Sequence, residues 1–497
     1  MHLYLGVVLC SLFVVWFLSG IVMMYQGYPG LTLTEKIAAM PALDCTMCTV
    51  AVHEALAAAS VPSAKGPLRL GMLESRPVWR FLDADGRWTG VFADRPEVIG
   101  ALTPERAAGI ARAFIGDTAR QARYMGTLED ADQWTLTRSV RQQMPLYRYD
   151  LDDAAGSRVY VSPRSGEVLS ASTRRERVLS WFGAIPHWIY PTMLRRHADA
   201  WAWVIIVVSG LGTVMSVAGL AIGVWQFRWR RRLTRAGTAR PRTPYRDFMM
   251  RWHHLLGLGF GVVTCTWVFS GLMSMNPGRW SPGSAATTSQ QLAWTGGAVD
   301  PWSLEVSAAD AWRALVASGQ RPKEVHAARF AGNHYWVGFV SPSGARHVPA
   351  ARADSSTPFT EFTAGALVEQ AQKALPAARI VETTILTGYD DYYRDQDRQL
   401  ALPVVRVKFD DADATWMYLD PRTGAIAQKR ERKSRLERWL YAGLHDFDFA
   451  MLMYRRPLWD VVMIGMSIGG VLLAVTGVVL SWRTARQWTT GAKPWRR

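Results

Sequence analysis

Four of the ten histidines form two pairs that an internal repeat relates. His2 and His253 stand at the starts of two long apolar segments, and His187 and His445 stand just before two others. An ionisable side chain at a membrane span is costly and marks a functional hypothesis. Two imidazoles that face each other across a four-helix bundle offer both axial ligands to a haem iron. The pairs therefore predict two haem sites, one near each face of a membrane, and together a path for electrons.

The repeat extends well beyond these histidines. When His2 is set against His253, the same residues recur at the same offsets: Gly6 and Gly257, Trp16 and Trp267, Ser19-Gly20 and Ser270-Gly271, and Met24 and Met275. The segments "RRERVLSWFGAIPH" and "RKSRLERWLYAGLH" end at His187 and His445, each with a tryptophan six residues earlier. Duplicated histidines at equivalent depth favour paired ligands over the interfacial role of a single histidine.

The remaining histidines are weaker candidates. His254 could replace His253 as a ligand or only cap the site, and the sequence leaves both alternatives open. His197 lies at the start of the second apolar segment, but its repeat partner falls near Pro457, so it is a secondary candidate. Ordinary surface or strand roles are predicted for His53, His326, His334 and His347.

Cys45 and Cys48 form a C-x-x-C motif outside the apolar segments. In an oxidising compartment this motif could be a redox dithiol. Together with His53 it offers three possible metal ligands, one short of a closed zinc site. The plainer alternative is an incidental disulfide or two unpaired thiols. Cys10 and Cys265 lie within apolar segments and are predicted to be small packing residues.

Four apolar segments are long enough to span a bilayer. They cover roughly residues 3–25, 199–227, 254–275 and 458–482. The first lacks a basic start and a small-residue cleavage site, so we interpret it as a retained span. Arginine-rich residues 228–251 and basic residues 483–497 follow the second and fourth spans. The positive-inside rule then places both termini in the cytoplasm and residues 27–197 and 276–457 outside, which in a bacterium is the periplasm.

The net charge of +16 is concentrated in these two basic blocks, which carry thirteen of the sixteen charges. The rest of the 497-residue chain is close to neutral. The sequence thus has no broad basic face for a phosphate backbone, and no nucleic-acid partner is predicted.

The two outside regions carry matching α+β patterns. Residues 145–171 and 402–428 each predict two strands and a Pro-Arg-Ser/Thr-Gly turn, and residues 102–116 and 362–375 predict the helices before them. Shorter versions around residues 78–88 and 334–348 suggest two modules in each region, and residues 277–300 are predicted to be linker.

The predicted fold class is an α-helical membrane bundle of four transmembrane helices, with internal duplication, plus periplasmic α+β domains. The boundaries, in chain order, are a span over 1–26, an outside region over 27–180, an edge helix and span over 181–229, a basic cytoplasmic loop over 230–250, a span over 251–276, an outside region over 277–434, an edge helix and span over 435–483, and a cytoplasmic tail over 484–497.

These motifs resemble PepSY-domain proteins with the associated transmembrane region. The resemblance rests on the H-x-x-x-G starts of spans one and three, the Pro-His and Leu-His pairs before spans two and four, "YVSPRSGEVL", "YLDPRTGAI", "TGYDDYYRDQDRQLALPVVRV" and "RWLYAGLHDFDF". The family includes inner-membrane ferric-siderophore reductases that hold two b-type haems between four spans. The resemblance implies His2, His187, His253 and His445 as the ligands. The C-x-x-C motif is a departure from the family pattern.

The sequence hypothesis is an inner-membrane, b-type haem protein that delivers electrons to a periplasmic acceptor such as ferric iron in a siderophore. No G-x-G-x-x-G fingerprint follows a strand, so the donor would be a quinol, another protein such as a reductase, or a diffusible reductant. The alternatives are a non-enzymatic envelope protein that binds a peptide, protease or partner protein, and a transporter.

An acidic cluster is interleaved with tyrosines in the second outside region. It comprises Asp390, Asp391, Asp395 and Asp397 with Tyr389, Tyr392 and Tyr393. It could form part of a surface on which the acceptor docks, or it could be a solvated loop.

Overall fold

The computed structural model describes residues 1–62, 66–116, 121–227, 242–304, 306–341, 344–347, 358–394 and 400–490. The chain forms two units, and successive segments of the chain belong alternately to one and to the other. The helical unit contains Met1–Tyr28, Glu176–Pro282 and Lys433–Arg497, and the sheet unit contains Pro29–Arg175 and Gly283–Arg432. The two predicted outside regions therefore contribute to one sheet unit, and both halves of the chain build each unit.

The helical unit contains the longest helices of the described chain. Its α-helices are α1 (His2–Met23), α6 (Arg174–Phe182, which begins at the edge of the sheet unit), α7 (Ala184–His187), α8 (Thr192–Arg195), α9 (Ala198–Gln226), α10 (Phe248–Ser274), α14 (Arg432–Arg438, likewise at the edge), α15 (Ala450–Met453) and α16 (Leu458–Thr490). A π-helical turn over Trp439–Gly443 precedes His445. Helices α1, α9, α10 and α16 are each long and apolar enough to cross a membrane, which confirms the four predicted spans.

Local chemistry explains where α10 begins. The carboxylate of Asp247 accepts a hydrogen bond from the amide of Met250, as an N-cap does. The helix therefore begins five residues before His253, so that His253 and His254 lie inside the helix and point to different sides. At this same end of the bundle, where Arg483 contacts Asp247, α16 continues to Thr490, into the segment predicted as cytoplasmic tail.

The sheet unit contains the remaining helices and all strands that the structure describes. The helices are α2 (Leu33–Ala39), α3 (Val52–Ala58), α4 (Pro104–Ile115), α5 (Arg138–Arg141), α11 (Thr288–Thr295), α12 (Ala308–Ala317) and α13 (Ala364–Ala374). The strands are β1 (Leu68–Leu73), β2 (Arg76–Leu82), β3 (Trp88–Phe92), β4 (Ala122–Leu128), β5 (Leu146–Leu151), β6 (Arg158–Val161), β7 (Val168–Ser172), β8 (Glu324–Phe330), β9 (Asn333–Ser341), β10 (Gly344–His347), β11 (Ile380–Leu386), β12 (Val404–Phe409), β13 (Trp416–Asp420) and β14 (Ala425–Arg430).

Two four-stranded antiparallel sheets correspond to the repeated α+β pattern. Their strand orders are β4-β5-β6-β7 and β11-β12-β13-β14. Helices α4 and α13 cover them and begin after the N-caps Thr103 and Thr363, the first with Pro104 at its start, as the sequence predicts. Each helix buries alanine or leucine against valines of its own sheet. These modules confirm the two strands predicted in each region and add two edge strands to each sheet.

The sequence analysis expected the shorter patterns to form a separate module in each region, and this prediction is wrong. Strands β1–β3 and β8–β10 join in one six-stranded sheet of order β10-β9-β8-β1-β2-β3. The junction is antiparallel, with Arg69 opposite His326 and Leu70 opposite Val325. Each three-stranded piece has an unpaired edge, and pairing the two edges satisfies the backbone groups of both. The two halves of the chain are thus hydrogen-bonded to each other.

The prediction of linker over residues 277–300 is wrong. Helix α11 lies there, between a Thr287–Gln290 capping box and Gly296, which ends the helix in the left-handed conformation. Trp294 on this helix is fully buried, and its indole donates a hydrogen bond to the carbonyl of Gly424. The small residues around Trp294 do not form the apolar pattern that predicts a helix. Burial of this one large side chain stabilises the helix.

Candidate functional site

His2 and His253 face each other at one end of the bundle. Their ring centroids are 6.1 Å apart. The Nδ1 atom of His2 lies 2.9 Å from the carbonyl oxygen of Met215 on α9. The Nδ1 atom of His253 lies 3.0 Å from the hydroxyl of Thr476 on α16, whose proton is donated to the carbonyl of Leu473. Each ring is thus fixed by the second long helix of its own half of the chain.

His187 and His445 form the second pair, with ring centroids 5.9 Å apart. The Nδ1 atom of His187 lies 3.1 Å from both the Ser19 hydroxyl and the Trp16 carbonyl of α1. The Nδ1 atom of His445 lies 2.9 Å from the hydroxyl of Ser270 on α10. Burial, together with the neighbouring His445, lowers the pKa of His187 to about 4, so this imidazole is neutral.

The hydrogen bonds around the four rings determine which nitrogen carries the proton. The Ser19 and Ser270 hydroxyls donate to carbonyl oxygens one turn earlier, so each accepts from a histidine Nδ1–H. A carbonyl can only accept, so His2 also donates from Nδ1. None of the four Nε2 atoms has a hydrogen-bond partner among the residues that the structure describes. All four rings thus leave Nε2 free, and a neutral imidazole whose proton is on Nδ1 ligates a metal through this atom.

His254 and His197 do not join these pairs. His254 is buried, but its Nε2 lies 2.8 Å from the carbonyl of Gly223 and its Nδ1 lies 2.9 Å from the Thr243 hydroxyl. Both nitrogens are therefore occupied by the protein, and the ring that faces His2 belongs to His253. His197 is exposed at the N-cap of α9.

A cavity of about 800 Å³ extends from the first histidine pair into the bundle. This volume lies within the range of small-molecule and cofactor sites. Its lining includes His2, His253, Gly219, Gly477, Phe13 and Thr264. The buried hydroxyl of Thr264 has no hydrogen-bond partner in the described chain, and neither have the indole nitrogens of Trp16 and Trp267. Thr264 lines the cavity, whereas Trp16 and Trp267 do not, and an unsatisfied polar atom in the lining of a cavity indicates a site that takes a ligand.

Two glycines leave room for the imidazoles. A Cβ atom added at Gly219 would lie 2.5 Å from His2 Cε1, and one at Gly477 would lie 3.4 Å from His253 Cε1. The offset that relates His187 to His445 also relates Gly219 to Gly477, and Met215 to Leu473. The carbonyl of Met215 is hydrogen-bonded to His2, and the carbonyl of Leu473 accepts the proton of the Thr476 hydroxyl that lies beside His253. The surroundings of the pair are therefore duplicated together with the histidines.

The spacing of the rings matches a pair of axial ligands. Two imidazoles that bind one metal ion from opposite sides through Nε2, at metal–nitrogen distances of about 2 Å, have ring centroids roughly 6 Å apart. Both pairs have this separation. The donor set, the free Nε2 atoms and the glycine-lined cavity at the first pair fit a haem with two histidine ligands.

The two pairs lie at opposite ends of the same helices. Seventeen residues separate His2 from Ser19 on α1, and seventeen separate His253 from Ser270 on α10. At roughly 1.5 Å per residue this is about 25 Å of helix, close to the hydrocarbon thickness of a bilayer. Aromatic rings lie between the ends, among them Phe17, whose ring centroid is 5.8 Å from that of Trp267.

The amino-acid sequence of the chain matches a known protein family. The model of the PepSY-associated TM region matches residues 1–353, which is most of the chain. The chain belongs to the PepSY-associated transmembrane family. This PepSY protein has no significant match among curated proteins. The matched residues include α1, α9 and α10, and with them His2, His187 and His253, whereas His445 and α16 lie beyond the match.

The C-x-x-C motif of this PepSY protein is a disulfide between Cys45 and Cys48. Disulfide sulfurs are not thiolate ligands, and the His53 ring stacks on Trp302 at 4.3 Å. In the described residues no group of three or more His, Cys, Asp or Glu side chains is placed to hold a metal ion. In the disulfide form that the structure shows, these two cysteines do not offer a zinc site.

The acidic cluster is only partly a surface. The Asp390 carboxylate accepts hydrogen bonds from the amides of Tyr392 and Tyr393 and is paired with Arg406 at 2.8 Å. Asp390 therefore stabilises the sheet unit internally, and the acceptor-docking surface stays a prediction. Asp391 is largely exposed, and Asp395 and Asp397 lie outside the described residues.

Sequence analysis missed the residues that orient the histidines. Ser19, Ser270 and Thr476 fix three of the four rings. The Ser-Gly pairs are visible in the repeat, and so is the relation of Gly219 to Gly477 once both halves are aligned. Their roles are not visible, because they depend on which helices are neighbours.

Proposed function

We propose that this protein binds two b-type haems and carries electrons across the inner membrane to a periplasmic acceptor. The observation that supports the proposal best is the common state of the four histidines. In both pairs the rings are about 6 Å apart, each Nδ1 is a hydrogen-bond donor to the protein, and each Nε2 is free. A histidine that only packs in the bundle has no need of a second imidazole at this distance.

The chain's own residues would provide position, tautomer and exclusion of water. Ser19 and Ser270 keep the imidazoles of His187 and His445 oriented and hold the proton on Nδ1. Phe13 and Phe17 are buried in the bundle and keep its interior apolar. Haem iron, when bound, supplies one-electron chemistry. The apolar surround and the imidazole ligands would together set the reduction potential of the haem.

The acceptor we favour is ferric iron held by a siderophore. Ferric iron binds hard oxygen ligands tightly, and reduction to the ferrous ion weakens this binding and frees the metal. Both termini would be cytoplasmic and the sheet unit periplasmic, as the basic residues after the second and fourth spans indicate. The donor would be a quinol or a reductase on the membrane or cytoplasmic side.

The cofactor is tested by absorption spectra of the full-length protein in detergent. We expect a Soret band, α and β bands on reduction, and two haems per chain by a pyridine haemochrome assay. His253→Ala should remove one haem and leave the other, whereas the matched variant of its neighbour, His254→Ala, should retain both. A colourless preparation, or equal behaviour of the two variants, would contradict the proposal.

The acceptor is tested separately with dithionite-reduced protein in proteoliposomes. Addition of a ferric hydroxamate or ferric catecholate siderophore should reoxidise the haem bands and release ferrous iron to a ferrozine-type chelator. Chelated iron should depend on both histidine pairs. Haem bands that stay reduced with either siderophore would leave the electron-transfer proposal standing and refute this acceptor.

A further inference from the structure

The Cys45–Cys48 disulfide closes a segment whose two ends are held independently of it. The segment connects α2 to α3 in the sheet unit. Its flanks are fixed by hydrogen bonds from Leu43 N to Pro322 O (2.8 Å), from Trp312 Nε1 to Leu43 O (2.9 Å), from Thr49 N and Val50 N to Ala93 O (both 2.9 Å), and from Trp79 Nε1 to Val50 O (2.9 Å). Leu43 and Val50 are also buried in the core of this unit. The fold therefore does not need the disulfide to hold the segment in place.

The short loop gives the disulfide little to stabilise. The stabilisation that a crosslink provides by restricting the unfolded chain increases with the length of the closed loop. Only two residues lie between Cys45 and Cys48, so this loop is close to the shortest that a disulfide can close. A structural role therefore gives a weak reason for its presence.

The two sulfurs differ in their access to solvent. Cys45 is 1% exposed and packs in the core, whereas Cys48 is partly exposed. Between them, Met47 is 66% exposed, so the loop presents an apolar side chain next to the accessible sulfur. Asp44 precedes the buried cysteine, and its hydrogen bonds from Thr46 lower the pKa of its carboxyl, so it is anionic at neutral pH. A thiolate would therefore approach Cys48 and not Cys45.

We propose that Cys45–Cys48 is a redox-active disulfide that exchanges with a dithiol protein. A thiolate of the partner attacks Cys48 Sγ, the Cys45–Cys48 bond breaks, and Cys45 leaves as a thiolate that takes up a proton. The partner's second thiolate then attacks the partner sulfur of the mixed disulfide, which releases Cys48 as a thiol and the partner as a disulfide. Two electrons and two protons pass from the partner dithiol to the cysteine pair. This inference is independent of haem binding.

The first test measures whether the bond is reducible without unfolding. Full-length protein in detergent is equilibrated with reduced and oxidised glutathione over a series of ratios, alkylated, and analysed by peptide mass mapping, which separates this pair from Cys10 and Cys265. We expect half-reduction within the series and the same unfolding temperature for the reduced protein. Structural disulfides resist the glutathione pool. A bond that stays oxidised throughout, or whose reduction lowers the unfolding temperature, overturns the proposal.

The second test uses the two single variants as matched controls. Cys45→Ser leaves the accessible Cys48 thiol, and Cys48→Ser leaves the buried Cys45 thiol. With oxidised glutathione, the Cys45→Ser protein should form the mixed disulfide at least tenfold faster. Equal rates, or faster reaction of the Cys48→Ser protein, would refute the assignment of Cys48 as the attacked sulfur. Unfolding temperatures of both variants show that each is folded when it is assayed.

Discussion

Replacement of Gly219 by alanine is the most direct perturbation of the first histidine pair. The added Cβ would lie 2.5 Å from His2 Cε1 and 2.9 Å from its Nδ1. Carbon atoms in contact prefer separations of about 3.5–4.0 Å. The imidazole would therefore have to retreat by about 1 Å, whereas a metal–ligand distance tolerates about 0.2 Å. We therefore expect Gly219→Ala to prevent His2 from serving as a haem ligand at this end of the bundle.

The assay separates the two proposed sites. Haem content should fall from two towards one per chain, and one of two low-spin signals in the electron paramagnetic resonance spectrum should be lost or converted to high spin. The helix itself should not suffer, because alanine is favoured over glycine in a helix interior by about 1 kcal/mol. Loss of the whole fold is therefore not the expected outcome.

A glycine on the same helix provides the control. A Cβ at Gly210 would have no neighbour within 4 Å, so Gly210→Ala should keep both haems and both signals. Gly20→Ala is an intermediate case, because its Cβ would lie 3.4 Å from His187 Cε1 and should disturb the second pair only slightly. Two haems with unchanged spectra in Gly219→Ala would refute the placement of His2 as a ligand.

Two further predictions concern hydrogen bonds and buried charge. Ser270→Ala removes the acceptor for His445 Nδ1–H and should lower haem affinity at the second pair about 10- to 100-fold. The control Ser274→Ala, on the exposed side of the same helix, should leave haem affinity unchanged. The rate of haem transfer to apomyoglobin measures the affinity of both variants. In the sheet unit, burial alone would raise the pKa of Glu167, but Arg69, Lys36 and Arg80 hold it far below its usual 4.5. The carboxylate therefore stabilises the folded state above about pH 4.5, and this contribution is lost as the pH falls. Glu167→Gln should lower the free energy of unfolding by about 3–5 kcal/mol at pH 7 and by much less at pH 3. Thermal unfolding followed by circular dichroism measures both values. An equal cost at both pH values would show that this charge network does not stabilise the unit.

Periodicity and repetition predict much of the fold. The four spans, the helices α4 and α13, and the two strands before each Pro-Arg-Ser/Thr-Gly turn follow from local sequence signals. The six-stranded sheet does not, because the pairing of β1 with β8 joins residues more than 250 positions apart. Helix α11 was also missed, since its stability comes from the burial of Trp294 and not from an apolar pattern.

The candidate site, like the fold, is predicted only in part by the sequence. The repeat alone selects His2, His187, His253 and His445 from ten histidines, because duplication marks positions that both halves need at the same depth. Sequence could not choose between His253 and His254, since adjacent residues on a helix face different neighbours and only packing says which neighbour each one meets. The tertiary structure decided this by engaging both nitrogens of His254 with Gly223 and Thr243 and by leaving Nε2 of His253 free. Spacing along the chain thus sets the depth of a side chain, and the arrangement of helices sets its direction and its hydrogen-bond partners.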